Sequence, residues 1–140
     1  MGFKRSQFLV VLALVAAVAI IGLLALGRGA GLDGTAWTLT AWSASSIDPG
    51  GHVVTLEFAD GRIGGQAPVN SYGGEYAARG DGSFETDEIV STLMAGDEDA
   101  VAAEALFFSL LEQVDRYRVD GDVLTLLDGA GEVLVFERVQ

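Results

Sequence analysis

The side chains that could do chemistry in this chain are acidic and numerous. Twenty Asp and Glu residues stand against eight Lys and Arg and a single His. A glycosidase-type pair needs two carboxylates held at a defined separation, and no spacing singles out two of the twenty. Asp97-Glu98-Asp99 is the densest acidic run. It lacks the alternating ligands and terminal Glu of a calcium loop, and reads instead as the start of a helix, where carboxylates meet free N–H groups. Asp120 and Asp122 bracket a glycine and read as turn residues. His52 has no second His to share a metal, and the chain contains no Cys, which removes catalytic thiols, thiolate ligands and disulfides. Gly61, Gly64, Gly65, Gly73 and Gly74 lack the Lys-Ser/Thr ending of a phosphate loop and lie between strand-like segments. Arg79-Gly80-Asp81 spells an adhesion tripeptide inside a glycine-flanked turn. Arg62 with Glu57, and Arg116 or Arg118 with nearby acids, read as surface charge pairs. No catalytic set, metal site or cofactor site emerges. The remaining candidates lie in Val69-Asn70-Ser71-Tyr72-Gly73-Gly74-Glu75-Tyr76. There Asn70 feeds a strand that places Tyr72 and Tyr76 on one face, and the three form either a ligand-contacting or a structural motif. As a structural residue, Asn70 takes a left-handed backbone angle or bonds its amide to nearby main chain.

Those residues need a frame, and the frame starts with an apolar run. Phe8 to Leu26 is 19 residues without a charged or polar side chain. As a helix it spans about 28 Å, one hydrocarbon core. The expected reading is a transmembrane anchor over residues 8–27, with 1–7 a short cytoplasmic end. A cleaved signal peptide and a buried core helix are the alternatives. Lys4 and Arg5 precede the run, so the remainder is expected on the outer side of the membrane, or secreted if the segment is cleaved. Residues 28–35 read as a glycine-rich tether and 36–140 as one domain, expected to be monomeric. Beyond Arg28 lie all 20 acids and five arginines, a net charge near −15. Such a surface repels phosphate backbones and anionic headgroups, which argues against nucleic acid as a partner.

Within the domain, hairpin signals repeat. Trp37, Leu39 and Ala41 are expected on one strand face, and so are Val54, Leu56 and Phe58. Asp60-Gly61, Asp81-Gly82, Asp120-Gly121 and Asp128-Gly129 each separate apolar stretches, as in antiparallel sheets. Between Asp97 and Val114 there is neither Gly nor Pro. Ala103, Leu106, Phe107, Leu110 and Val114 recur at helical spacing there, which predicts one packed helix. A shorter helical turn is expected over Asp87 to Met94. The predicted fold is mostly β, a small curled antiparallel sheet or barrel-like domain with one packed α-helix, preceded by the single transmembrane helix.

This succession resembles the META domain family, the heat-shock protein HslJ-like family. Trp37 and Leu39 resemble its opening strand, Phe58 to Gly65 its F-x-x-G-x-x-x-G stretch, and Val69 to Tyr76 its C-N-x-Y-x-G-x-Y signature. Ile89, Thr92, Met94, Ala95 and Gly96 resemble its T-x-M-A-C turn. Glu104 and Phe107 to Tyr117 resemble its helix, and Leu124, Leu126, Leu134 and Phe136 its closing strands. The family's two signature cysteines fall on Val69 and Gly96, and Pro68 stands where a glycine is usual. If the two positions are adjacent in the fold, their joint loss is a coherent change. The resemblance implies a barrel-like fold and an exported or anchored domain, with some members tied to heat induction, antibiotic tolerance or secretion-related motility. The expected function is therefore a non-enzymatic extracytoplasmic envelope or stress-associated domain that binds a protein or envelope component. A small-molecule or cation-binding module and a hydrolase of unknown type are the alternatives.

Overall fold

The computed structural model describes residues 31–43 and 47–140. The expected membrane segment at 8–27 lies outside them. Among the described residues no helix is long and apolar enough to cross a membrane.

The described chain forms β1 (Thr35–Trp42), a 3-10 turn (Pro49–Gly51), β2 (Thr55–Ala59), β3 (Arg62–Gln66), β4 (Ser71–Ala78) and β5 (Phe84–Ser91). Helix α1 (Glu98–Gln113), β6 (Arg116–Asp120), β7 (Val123–Asp128) and β8 (Gly131–Arg138) follow. The eight strands make one antiparallel sheet in the order β5-β4-β3-β2-β1-β8-β7-β6. Its two end strands touch at one point. Ser83 bridges Arg116, the Phe84 N–H donates to the Asp115 carbonyl at 2.9 Å, and the Tyr117 N–H donates to that of Gly82 at 2.9 Å. The sheet therefore curls into a barrel that closes there and parts further along β5. Phe108 and Leu111 of α1 line a groove with Ile89 and Val90 of β5 beside that opening.

The barrel interior follows from the alternation of residue types. Trp37, Leu56, Phe58, Ile63, Leu124, Leu126, Leu134 and Phe136 are all buried in one core. Asp60 and Gly61 take φ of 53° and 76°, the paired left-handed angles of a two-residue hairpin turn, which Asp-Gly adopts at little cost. At Gly65 (φ 156°) the constraint is closer still. A Cβ there would lie 2.2 Å from the Thr55 carbonyl oxygen, so only glycine lets β2 and β3 approach.

Helix α1 begins as its acids predict: the Asp97 carboxylate accepts the Ala100 N–H at 2.8 Å, capping the helix, with Glu98 and Asp99 in its first turn. Ala103, Phe107, Leu110 and Val114 are buried, while Leu106 is only partly so. Phe107→Ala should lower the unfolding free energy by about 3 kcal/mol and Leu106→Ala by about 1 kcal/mol, read from denaturant midpoints. Equal losses would contradict this placement of the helix.

Four expectations are corrected. Asp87 to Met94 contains no helical turn: β5 occupies it as far as Ser91, which stands opposite Tyr72, and Thr92 to Met94 leave the strand without regular structure. Ala41 does not share the face of Trp37 and Leu39, because a bulge between Leu39 and Ala41 shifts the register against β8 and leaves Ala41 exposed. Packing also begins upstream of Trp37, inside the expected tether. Leu32 lies in the core, and the Gly34 N–H donates to the Phe58 carbonyl. Arg62 stands opposite Ala59 and Glu75 rather than pairing with Glu57, and the ion pairs among the described residues are Arg79–Glu85, Arg118–Glu132 and Arg138–Asp122.

Candidate functional site

The signature around Asn70 folds into a buried polar node. Asn70 sits in the β3–β4 connection, nearly closed to solvent, and faces Glu104 in the second turn of α1. One oxygen of the Glu104 carboxylate accepts the Asn70 N–H at 2.6 Å and the Val69 N–H at 3.0 Å. Its other oxygen accepts the Asn70 side-chain Nδ2–H at 2.6 Å. The Asn70 Oδ1 in turn accepts the Met94 N–H at 2.7 Å and the Thr92 hydroxyl at 2.8 Å. Three segments (the β3–β4 loop, α1 and the chain leaving β5) are tied through two side chains. Asn70 does not take the left-handed angle that an Asn in a turn permits. Its amide does the work, with both ends engaged inside the protein.

Glu104 enters the sequence analysis only through its resemblance to the family's helix, with no partner assigned, though a signal for one existed. It falls on the same helix face as Ala100, Ala103, Phe107 and Leu111, and a carboxylate in a buried stripe needs donors.

Tyr72 and Tyr76 point into the barrel from β4, as their spacing requires. The Tyr72 hydroxyl donates to the Thr55 carbonyl at 2.7 Å, and its ring meets Phe107 and Phe108 edge-on at 5.4 and 5.6 Å. Burial, with the charge of Glu57, pushes its phenol well above the ordinary range, so it stays a neutral donor. Tyr76 donates to the Asp33 carboxylate, which also accepts the Gly61 N–H at 3.3 Å. Burial first, and that hydrogen bond second, raise its phenol in the same way. The structure thus brings Asn70, Tyr72 and Tyr76 onto one strand and its approach but into separate contacts. They do not converge on a shared cavity.

The other polar candidates disperse. Among the described residues no three His, Asp or Glu side chains form a metal-binding group. His52 closes the 3-10 turn through its backbone, donating to the Pro49 carbonyl. Arg79 and Asp81 are used by the β4–β5 turn, where the Asp81 carboxylate accepts the Ser83 N–H at 2.9 Å and Arg79 exchanges backbone hydrogen bonds with Ser83 and Gly82. An open recess of about 420 Å³ beside β4 and β5 is lined by Glu75, Tyr76, Arg79, Glu85 and Asp87. Arg79 already pairs with Glu85 there.

A different kind of surface lies at the parted end of the barrel. Val90 and Met94 are each 67% exposed and Leu93 is 97% exposed, all on β5 or the segment leaving it. Beyond Phe84 the outer edge of β5 has no strand partner among the described residues.

Val69 and Gly96 are neighbours. A Cβ placed on Gly96 would lie 3.4 Å from the Val69 Cβ and 2.6 Å from its Cγ2. The Val69 side chain occupies the space that a residue larger than glycine would need.

These features define a curled antiparallel barrel with one packed helix, whose polar signature is consumed in holding the helix to the sheet. The META domain family matches residues 30–140, and the chain belongs to that family. Among solved structures, the NMR structure of a protein from Burkholderia xenovorans is similar at 26% identity and a TM-score of 0.65, over 78% of this chain and 84% of that one. A second NMR structure, at 15% identity, shares the fold with a TM-score of 0.57 over 76% of this chain and 90% of its own. No curated protein matches the chain.

Proposed function

We propose that the chain is a non-enzymatic domain, HslJ-like within its family, held outside the plasma membrane by residues 8–27, where it binds an envelope protein or component in a stress-associated role. The observation that carries the binding role is the set of exposed apolar side chains at the end of β5, Val90 on the strand and Leu93 and Met94 just beyond it, beside an edge without a strand partner among the described residues. The membrane location rests on the length of the apolar run and on Lys4 and Arg5 before it. The alternative, a small-molecule or cation site, has a weaker basis. The acidic recess is open, and one of its carboxylates is already neutralised by Arg79.

A photo-crosslinking amino acid at Leu93 or Met94, in the intact protein in living cells, tests both parts. Adducts of higher mass are expected at these positions and not at exposed Thr40, four strands away in the sheet. The protein should stay in the membrane fraction after an alkaline wash and be reached by protease added to spheroplasts. Absence of adducts at both positions would remove the binding reading. A soluble product beginning near Arg28 would replace the anchor with a cleaved signal.

A further inference from the structure

Strand β5 ends one side of the sheet, and among the described residues its outer edge is paired only at its beginning. Natural edge strands are commonly short, covered, or guarded by inward charges. β5 is eight residues long; Asp87, Glu88 and a bulge at Glu88 interrupt its middle, but beyond them it carries Ile89, Val90 and Ser91 with neither charge nor Pro. Beside that stretch runs a groove of about 210 Å³, with Ile89 and Val90 on one wall, Phe108 and Leu111 on the other, and Glu112 at its rim. A strand added to the edge would make main-chain hydrogen bonds with β5 and could set alternate apolar side chains in this groove.

The surrounding charge says which strand. Asp87 and Glu88 precede the apolar stretch, and Asp97, Glu98 and Asp99 follow it. None of these five carboxylates has an ion-pair partner among the described residues. A second copy of this chain pairing edge to edge would bring together two domains each near −15 and crowd the carboxylates of both edges at one seam. A segment with Lys or Arg flanking apolar residues meets the opposite situation at both ends.

We propose that β5 is a docking strand, and that its occupant is an extended segment of a partner protein with apolar residues alternating along one face and basic residues at its ends. This inference rests on the binding role proposed above and names the chemistry of the partner. Recognition is by β-augmentation: the backbone edge supplies the bonds, the Phe108–Leu111 groove selects apolar side chains, and the carboxylates steer the approach.

The test uses the full chain in a mild non-ionic detergent and three labelled peptides. One has the sequence Lys-Val-Thr-Val-Arg-Val-Thr-Val-Lys, the second has its basic residues changed to Glu, and the third keeps the charges but has Pro at both Thr positions. The basic peptide should bind at least about ten-fold more tightly than the acidic or the proline peptide, by fluorescence anisotropy. It should slow amide hydrogen exchange in residues 88–92 and not in β1. Val90→Asn with Leu93→Asn should weaken it about ten-fold without moving the unfolding midpoint, since both side chains are exposed. Asp87→Asn with Glu88→Asn should weaken it and flatten its salt dependence.

Equal binding of the basic and proline peptides would leave charge attraction alone and overturn augmentation. No binding, or binding indifferent to the Val90 and Leu93 changes, would overturn the site. Self-association abolished by those same changes would give the edge to a second copy instead. Crosslinked adducts at Leu93 without peptide binding would leave the general binding role standing and remove only the extended basic partner.

Discussion

Replacing Glu104 with alanine should lower the unfolding free energy by about 4 kcal/mol, because three donors lose their acceptor at once. The N–H groups of Val69 and Asn70 and the Asn70 side-chain amide all point at the one carboxylate. No other acceptor is bonded to these three groups. Glu104→Gln is the more informative change. Its Oε1 can still accept the two backbone N–H groups, but its new amide then faces the Asn70 amide, donor against donor. Asn70→Asp fails in the opposite way, placing two carboxylates within hydrogen-bond reach. Such a pair must share a proton, so the folded-state pKa rises above the unfolded one. The stability of that variant is then retained at low pH and lost as pH rises, lower at about pH 8 than at about pH 5. The double variant Glu104→Gln with Asn70→Asp restores one donor facing one acceptor and should recover part of the loss, with a coupling energy of about 1–2 kcal/mol in a double-mutant cycle. Chemical denaturation of the four proteins at two pH values measures all of this. Additive losses would mean that the node is not a unit.

How far the sequence leads can be judged residue by residue. Asp60-Gly61 marked its hairpin because a two-residue turn demands two left-handed angles, a local requirement that leaves a local trace. Helix α1 was legible within a residue at each end, since capping by Asp97 and the Ala103–Phe107–Leu110–Val114 stripe are both local. β5 was not. It is an edge strand whose residues after Phe84 are mostly exposed, and Glu88 takes φ of 50° beside the register shift at Gly73–Glu75, so the two-residue alternation is broken. Asn70 was visible as a residue of consequence, whereas its partner Glu104 is 34 positions away and is joined to it only by the tertiary fold. The exposure of Val90, Leu93 and Met94 was hidden for a related reason. Apolar letters in a sequence suggest burial, and only the curvature of the sheet shows which of them are left outside.

The pair Val69→Cys and Gly96→Cys should form a disulfide and, once oxidised, raise the unfolding free energy by about 3.5 kcal/mol through closure of the loop from residue 69 to 96. The geometry is close to what a disulfide needs: a Cβ on Gly96 lies 3.4 Å from that of Val69, just under the roughly 3.5–4.5 Å that disulfides span, so a small outward shift suffices. Gly96 also has no positive backbone angle that a side chain would strain. The single changes should behave unequally. Gly96→Cys alone drives its Cβ to 2.6 Å from the Val69 Cγ2, and the β-branched valine has little freedom to turn away, so a loss of about 1–2 kcal/mol is expected. Val69→Cys alone deletes that Cγ2 and leaves a small gap, which should cost less. Combined, the second change relieves the clash created by the first, so the reduced pair should be non-additive, losing less than the sum of the two single changes. The wild-type chain has no cysteine and gives the reference that reductant cannot move. Unfolding midpoints of the double variant with and without reductant, beside a free-thiol count, decide the matter. A thiol pair that stays reduced under mild oxidant, or an oxidised form less stable than its reduced form, would show that this contact cannot take a bond. The expected gain would instead show that valine and glycine here maintain, by packing alone, a junction between the β3–β4 loop and the start of α1 that a covalent bridge can equally hold.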